Sequence, residues 1–390
     1  MKYPNLVDIK TCTGCLACVD ACAKQAISLK VGEDGHFYVM TDETKCIGCL
    51  RCESICTNIH QRKYGDNNKV SAPFAIYNEE KDFYEKATSG GIFPALASYF
   101  IFHGGVVYGA AYTDGIHVAH RRISKIDEIE ALQGSKYEQS NMLGIYKSIA
   151  EDLKKDLKVL FVGTGCQVAG ILSYFNNHRK KSLIYTADLV CGGVPSSLLI
   201  ESFAKNTPQF AAVNSYREKG KYVFSYFTQE RAKVTCPKAL PLDGFKSCLT
   251  NRYSCYDCKF TGLHRMSDWT IGDYWGDNFA LARSLCLCHS ERGLSIIKKL
   301  PNINIQNIGW QFIYFNPRIV NGKAPFANRI ERMYIGRAFK KFPYSIITKI
   351  YGSDIRKTDI LWFIYKIYKY IRFKLYFIQS KNIAKKFIKA

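Results

Sequence analysis

Apolar and polar positions change texture along the chain. In the first sixty or so residues, short elements sit between closely spaced cysteines: Ala26-Ile27 begins a short strand, and Gly35 to Val39 reads as its hairpin partner. From Ser71 onward, apolar runs separated by glycine alternate between helical and strand periods, which predicts an α/β or α+β domain. The uncharged stretch Ala87 to Thr113 has the length of a membrane span. Pro94, His103 and Gly104-Gly105 cut it, so it reads as a buried helix over Ile92 to Phe102 followed by a buried strand. Asp156 to Val162 is a buried-strand run that ends in a turn, Gly163 to Gln167, with a helix expected from Val168 to Phe175. A second such unit follows, with a strand over Leu183 to Val190, a turn over Cys191 to Ser197, and another helix. Near the end, Leu361, Ile364, Ile367, Tyr368, Ile371, Leu375 and Ile378 recur at helical spacing and form one apolar stripe.

The 390 residues exceed one ordinary domain. The texture divides them into a cysteine-rich unit over 1–66, a large unit over 71–335 and a basic, aromatic, amphipathic helical tail over 340–390. The formal charge of +22 points to acidic partners, and residues 356–390 supply much of it, with ten Lys or Arg against Asp359 alone. Each lysine or arginine of that tail would cost about 2.5–3.5 kcal/mol at a bilayer centre, so the tail is expected to lie on an anionic membrane surface or on the protein's own core. Nucleic acid ranks last among its partners, because no nucleic-acid-binding motif accompanies it. Sixteen cysteines are too few for a disulfide scaffold of this length. Pro4, Asp8 and Lys10 interrupt any apolar export segment, so a reducing cytoplasm is expected, with peripheral contact at the inner face of the membrane.

Half of the cysteines carry a specific pattern. Cys12, Cys15, Cys18 and Cys22 follow C-x2-C-x2-C-x3-C, and Cys46, Cys49, Cys52 and Cys56 repeat it 34 residues later. Three closely spaced thiolates reach one cluster, and the fourth, beyond the longer gap, reaches the neighbouring one. The spacing therefore assigns Cys12, Cys15, Cys18 and Cys56 to one 4Fe–4S cluster and Cys46, Cys49, Cys52 and Cys22 to another. Gly14 and Gly48 give backbone amides access to the cluster sulfurs. The pattern resembles bacterial two-cluster ferredoxins, with Ala23 and Thr57 where those usually have proline. Zinc is the competing ligand for C-x2-C pairs, but two identical four-cysteine runs disfavour it.

In the large unit, Thr88-Ser89-Gly90-Gly91 precedes the apolar helix, so Ser89 is a candidate cap and its turn a candidate phosphate site. Cys166 and Cys191 sit at equivalent strand ends, where α/β domains place cofactors. Cys255 and Cys258 add a further C-x2-C pair. The segments Ser89 to Phe93, Gly134 to Ser140, Gly163 to Gln167, Cys191 to Ser197, Ser254 to Phe260 and Arg265 to Gly276 together resemble the beta subunits of coenzyme F420-reducing hydrogenases and dehydrogenases, including bacterial relatives from polysaccharide-synthesis clusters. The resemblance spans roughly residues 71–277.

It implies an iron–sulfur flavoprotein oxidoreductase: an α/β domain binding FAD, fed by the ferredoxin clusters and exchanging hydride with coenzyme F420 or another acceptor. Ser89, Gly90, Gly91, Ser135, Lys136 and Tyr137 are candidates for flavin contacts, with Lys136 the cationic one, and Asp268 and Asp273 orient the flavin or cap a turn. A third 4Fe–4S cluster is expected on Cys166, Cys191, Cys255 and Cys258, with Cys248 as a substitute ligand. The alternative is a non-catalytic relay subunit that wires a ferredoxin or an oxidoreductase subunit to a partner enzyme, for instance in polysaccharide biosynthesis. The sequence departs from the family at Gly163 to Gln167, which lacks the usual proline, and at Gly192, where a histidine is usual. It also departs over Ala282 to Gly293. Cys236, Cys248, Cys286 and Cys288 have no assigned role beyond packed or exposed thiols.

Overall fold

The computed structural model describes residues 3–60, 72–219, 221–263, 265–276, 281–310, 313, 317–320 and 335–351, with isolated positions of the tail. Strands β1 (Ile27–Val31) and β2 (Phe37–Thr41) form the antiparallel hairpin of the cysteine-rich unit. Two short helices, Ala17–Ala21 and Arg51–Ser54, flank the cysteine loops. Each begins after a leucine in the left-handed region, Leu16 at φ 62° and Leu50 at φ 56°, and each loop turns on a left-handed glycine, Gly14 or Gly48. The 34-residue repeat is thus a repeat of backbone conformation.

The large unit is built on an eight-stranded mixed sheet. Its strands are β3 (Ala72–Asn78), β4 (Val106–Tyr112), β5 (Val118–Ile123), β6 (Val159–Thr164), β7 (Ile184–Leu189), β11 (Trp269–Asp273), β12 (Ser284–Cys288) and β13 (Ile303–Asn307). They lie in the order β13-β3-β12-β11-β7-β6-β4-β5. The four central strands β4, β6, β7 and β11 pair in parallel, and antiparallel strands flank them on both sides. Strands buried on both faces read as continuous apolar runs, as Val159 to Val162 does. Helices Ile92–Phe102 and Glu291–Ile297 pack on one side of the sheet and Ile145–Lys154 and Gly165–Tyr174 on the other. A smaller antiparallel sheet of β8 (Phe210–Glu218), β9 (Lys221–Thr228) and β10 (Lys233–Cys236) closes a separate core with helices Leu198–Lys205 and Leu240–Ser247.

Two local differences from the sequence reading have clear causes. The helix after β6 begins at Gly165 rather than Val168, because Gln167 Oε1 accepts from the Thr164 amide and hydroxyl at 3.0 and 3.1 Å and draws the turn into the helix. Ser89 does not cap the helix Ile92–Phe102. Gly91, at φ 85°, takes that position, and the Ser89 hydroxyl donates to the Arg283 carbonyl at 2.7 Å.

The cysteine-rich unit shares its core with the sheet domain. Leu16, Ala17, Ala21 and Ile55 pack among Met142, Ile145, Tyr146, Ile149, Ile171 and Phe175. Asp20 supplies an N-terminal cap across the junction: its carboxylate accepts from the Gly144 and Tyr146 amides at 2.9 and 3.1 Å, at the start of the helix Ile145–Lys154. Free amides at a helix start favour a carboxylate. Replacing Asp20, which is 5% exposed, with alanine leaves those amides buried without partners and is expected to cost about 1–3 kcal/mol, read as a lowered thermal midpoint. An unchanged midpoint would mean the junction contributes nothing to stability.

In the tail, Ile367, Ile371, Leu375 and Ile378 are helical and exposed. Leu361, Ile364 and Tyr368 of the same stripe lie outside the described residues. Among the described residues no helix is long and apolar enough to cross a membrane.

Candidate cofactor cavity and cysteine sets

The carboxyl ends of the parallel strands open into a cavity of about 280 Å³. Its floor includes Gly109 and Ala110 of β4, Val162 to Thr164 of β6 and Ile271 to Asp273 of β11. Three loops form the walls: Ala87 to Ser89 with Gly91, Gln133 to Ser140, and Leu189 to Pro195. Of the sequence-predicted flavin contacts, Ser89, Gly91, Ser135, Lys136, Tyr137 and Asp273 line it. The Ser135 hydroxyl donates to the Thr88 hydroxyl at 3.3 Å, joining the first two walls.

Gly90 and Asp268 lie elsewhere. Gly90 is pinned to the backbone, where a Cβ would lie 2.1 Å from the Ile76 carbonyl oxygen and 2.3 Å from the Ser284 amide. Asp268 is a buried structural anion: it accepts from Arg292 at 2.6 and 2.7 Å, from Ser290 at 2.7 Å and from the Thr186 amide at 3.0 Å. It holds strand ends together. Lys136 turns its ammonium onto the carbonyls of Leu132, Gln133 and Gly134, and burial lowers its pKa to about 7, so it serves its own loop first. Asp273 pairs with Arg217, whose guanidinium lies 4.6 Å over the Tyr222 ring.

Other cavity residues carried no sequence signal. His120 stacks on Phe161 at 5.0 Å, donates from Nε2 to the Val162 carbonyl at 3.0 Å and accepts at Nδ1 from Ser140 at 2.7 Å. Burial holds this imidazole neutral, with its pKa lowered to about 4. An unfolded histidine titrates near 6.5, so between about pH 6.5 and 4 the unfolded chain binds a proton that the folded chain does not. Stability therefore falls as pH drops through that window, by about 1.4 kcal/mol per pH unit from this residue. Unfolding midpoints for the wild type and His120→Asn should lose that slope in the variant, and parallel profiles would refute it. Arg318 lies directly over Gly192, where a Cβ would meet its Cζ at 2.5 Å, and its guanidinium reaches the Phe245 ring at 5.5 Å. The position that usually carries a family histidine is thus covered by an arginine from a distant segment. Phe245 in turn stacks on Tyr137 at 3.7 Å.

The cavity suits a flavin nucleotide on two observations. A Cβ at Gly134, which sits at φ 85°, would meet nothing within 4 Å, so the loop leaves open space beside backbone amides. Around that space stand hydroxyls, a guanidinium pair and a stacked aromatic wall, the mixed lining that fixes a planar polar ligand.

The cysteines gather into sets. Cys18 lies within electrostatic reach of Cys12, Cys15 and Cys56 and also of Cys52 from the neighbouring set, and Cys52 within reach of Cys22 and Cys49. Cys166, Cys191, Cys255 and Cys258 form a third set beside the cavity, each interacting with others of the group. Gly165 permits this assembly, since a Cβ there would lie 2.2 Å from the Phe260 carbonyl oxygen of the Cys258 loop. Burial pushes the thiols up, Cys15 and Cys258 to about 11 and Cys255 to about 12, so metal must displace their protons. Among the described residues no three His, Cys, Asp or Glu side chains converge on a single ion. A cubane, with irons at separate corners, needs its thiolates spaced apart. Cys248 is buried, with its thiol 3.8 Å from the Lys246 carbonyl oxygen. Cys286 and Cys288 are packed in the sheet core and Cys236 lies against the smaller core.

The first cysteine loop reaches the cavity: Thr13 lines it, and the Cys15 carbonyl accepts from Tyr146 at 2.7 Å. A Cβ at Gly170 would stand 3.3 Å from the Cys15 sulfur, so the helix Gly165–Tyr174 connects that loop to Cys166 at its own first turn.

Residues 156–307 match the family described as the C terminus of the coenzyme F420 hydrogenase/dehydrogenase beta subunit, and residues 11–58 match a 4Fe-4S dicluster domain. The family match runs through Ala282 to Gly293, a stretch that reads as a departure in sequence; it forms β12, inside the sheet between β3 and β11. No curated protein matches the chain. Among solved structures, a chain of the F420-reducing NiFe hydrogenase complex from Methanosarcina barkeri aligns with a TM-score of 0.47 at 16% identity, over 70% of this chain and 90% of that one. The chain thus carries a 4Fe-4S dicluster domain over residues 11–58 and, over residues 156–307, a region similar to the C terminus of the coenzyme F420 hydrogenase/dehydrogenase beta subunit.

Proposed function

We propose that the protein is an iron–sulfur flavoprotein oxidoreductase in which electrons pass between the N-terminal clusters and FAD in the cavity. The observation that carries this reading is the position of the Cys12 to Cys18 loop, which contributes Thr13 to the cavity wall while its neighbour Cys15 packs on the helix that bears Cys166. Bound there, a flavin would accept electrons singly from clusters and give up two of them together as one hydride.

The chain's own residues prepare the site. Backbone amides of the Thr88 to Gly91 and Gly134 to Tyr137 loops offer donors to phosphate and ribityl oxygens. Tyr137 and Phe245 form a flat wall, and Arg217 and Arg318 place positive charge at the end near Cys191. In the same reading Cys166, Cys191, Cys255 and Cys258 hold a third cluster between the N-terminal pair and the cavity. The diffusible acceptor is a deazaflavin or another redox carrier, and the redox partner is an oxidoreductase subunit or ferredoxin. The exposed Ile367, Ile371, Leu375 and Ile378 of the basic tail suit an anionic membrane surface. Cofactor extraction from protein purified without oxygen tests the assignment: about one FAD per chain is expected, and a brown, flavin-free protein would leave the relay role.

A further inference from the structure

Arg252 is 1% exposed and sits where three functional loops meet. Its Nε donates to the Cys12 carbonyl at 2.7 Å, one terminal nitrogen to Gln139 Oε1 at 2.8 Å, and the other to the Phe37 carbonyl at 2.5 Å. The guanidinium lies 4.6 Å over the Tyr38 ring. Its backbone joins the other side: the Arg252 amide donates to Val194 of the Cys191 loop at 2.9 Å, and its carbonyl accepts from the Cys255 amide at 3.0 Å. Gly14, at φ 70°, makes room, because a Cβ there would stand 2.9 Å from the guanidinium and 2.2 Å from the Gln139 amide nitrogen.

Every hydrogen-bond acceptor of this guanidinium is neutral, and among the described residues no carboxylate pairs with it. The other buried arginines beside the cavity and the third cysteine set have one: Arg265 pairs with Asp188 at 3.2 Å and Arg217 with Asp273. A buried cation without an anion is strongly disfavoured. The groups on its two sides are the Cys12 loop and Cys255, whose amide donates to the Arg252 carbonyl. Four thiolates outweigh the charge of a 4Fe–4S core, so a ligated cluster is an anion and becomes more negative on reduction.

We infer that Arg252 is a positioning residue whose counter-ion is the cluster pair itself: it locks the Cys12 loop against the Cys191 and Cys255 loops and favours the reduced state of the cluster held by Cys12, Cys15, Cys18 and Cys56. This rests on the proposed electron route for its purpose, but its effect is read on the N-terminal clusters alone.

The test is a mediated redox titration followed by electron paramagnetic resonance on the full, cluster-loaded chain, comparing wild type, Arg252→Met and Arg252→Lys. At the potential that half-reduces the Cys12-set cluster in the wild type, Arg252→Met should lower its reduced-to-oxidised ratio about tenfold, roughly a 59 mV fall for a one-electron couple. The Cys46-set cluster, whose cysteine loop the Arg252 side chain does not hydrogen-bond, should shift less, and Arg252→Lys should recover most of the ratio because it keeps the charge without the fork. Three results would overturn the inference: an unchanged ratio in Arg252→Met with iron content intact, a lysine variant shifted as far as the methionine one, or loss of clusters from both variants, which would make Arg252 a structural clamp only. A flavin-free wild type would defeat the functional reading and leave this comparison standing.

Discussion

Replacing Cys255 and Cys258 together with serine is expected to lower bound iron from about twelve to about eight atoms per chain, with the N-terminal clusters unaffected. The argument is one of separation. The outer eight cysteines sit on a small unit with its own hairpin and two short helices, whereas Cys166, Cys191, Cys255 and Cys258 come from strand ends and a loop of the sheet domain. Removing two of four ligands leaves Cys166 and Cys191 as buried thiols with raised pKa values, which stay protonated at neutral pH. Quantitative iron and sulfide analysis after anaerobic reconstitution reads the difference. A wild type with about eight irons, unchanged in the double variant, would remove the third cluster from the account.

Ala110→Trp should abolish flavin retention while leaving iron content as it was. Ala110 lies on β4 opposite His120 and contributes to the cavity floor, so an indole there projects into the space of about 280 Å³ that the proposed flavin would occupy. The strand backbone can keep its pairing with β5 and β6, because a strand accepts an aromatic residue readily. FAD released by acid extraction is expected to fall below about a tenth of the wild-type amount, the effect of an over-filled site. Full flavin content in the variant would place the cofactor outside this cavity.

The parts of the molecule written locally in sequence are the legible ones. Eight thiolates at fixed spacing within two loops need no tertiary information, and the glycine turns after β6 and β7 announce strand ends by themselves. The Ser89 and Gly134 loops are found through resemblance and do meet at one cavity wall. What sequence does not give is the partner of each side chain across long separations. Ser89 reads as a cap because it precedes a helix, but Arg283, far along the chain, takes its hydroxyl. Asp268 and Asp273 lie on one short strand region, yet Arg292 claims the first and Arg217 the second, so only Asp273 faces the cavity. Gly192 reads as a lost functional group, whereas Arg318, distant along the chain, covers it. Arg252 stands shortly before the Cys255–Cys258 pair with nothing in its neighbours to mark it, since its three acceptors come from the Cys12 loop, the hairpin and Gln139.

The central claim is that electrons enter through the N-terminal clusters and reach a flavin in the cavity. Stopped-flow reduction of the anaerobic, fully loaded chain by a reduced one-electron donor protein, followed by bleaching of flavin absorbance, tests it directly in wild type and in Cys12→Ser. The account predicts that flavin bleaching trails cluster reduction in the wild type and slows at least about tenfold in the variant, because a step lost from a positioned relay has no equivalent path through solvent. Flavin that is reduced equally fast in both proteins would contradict it.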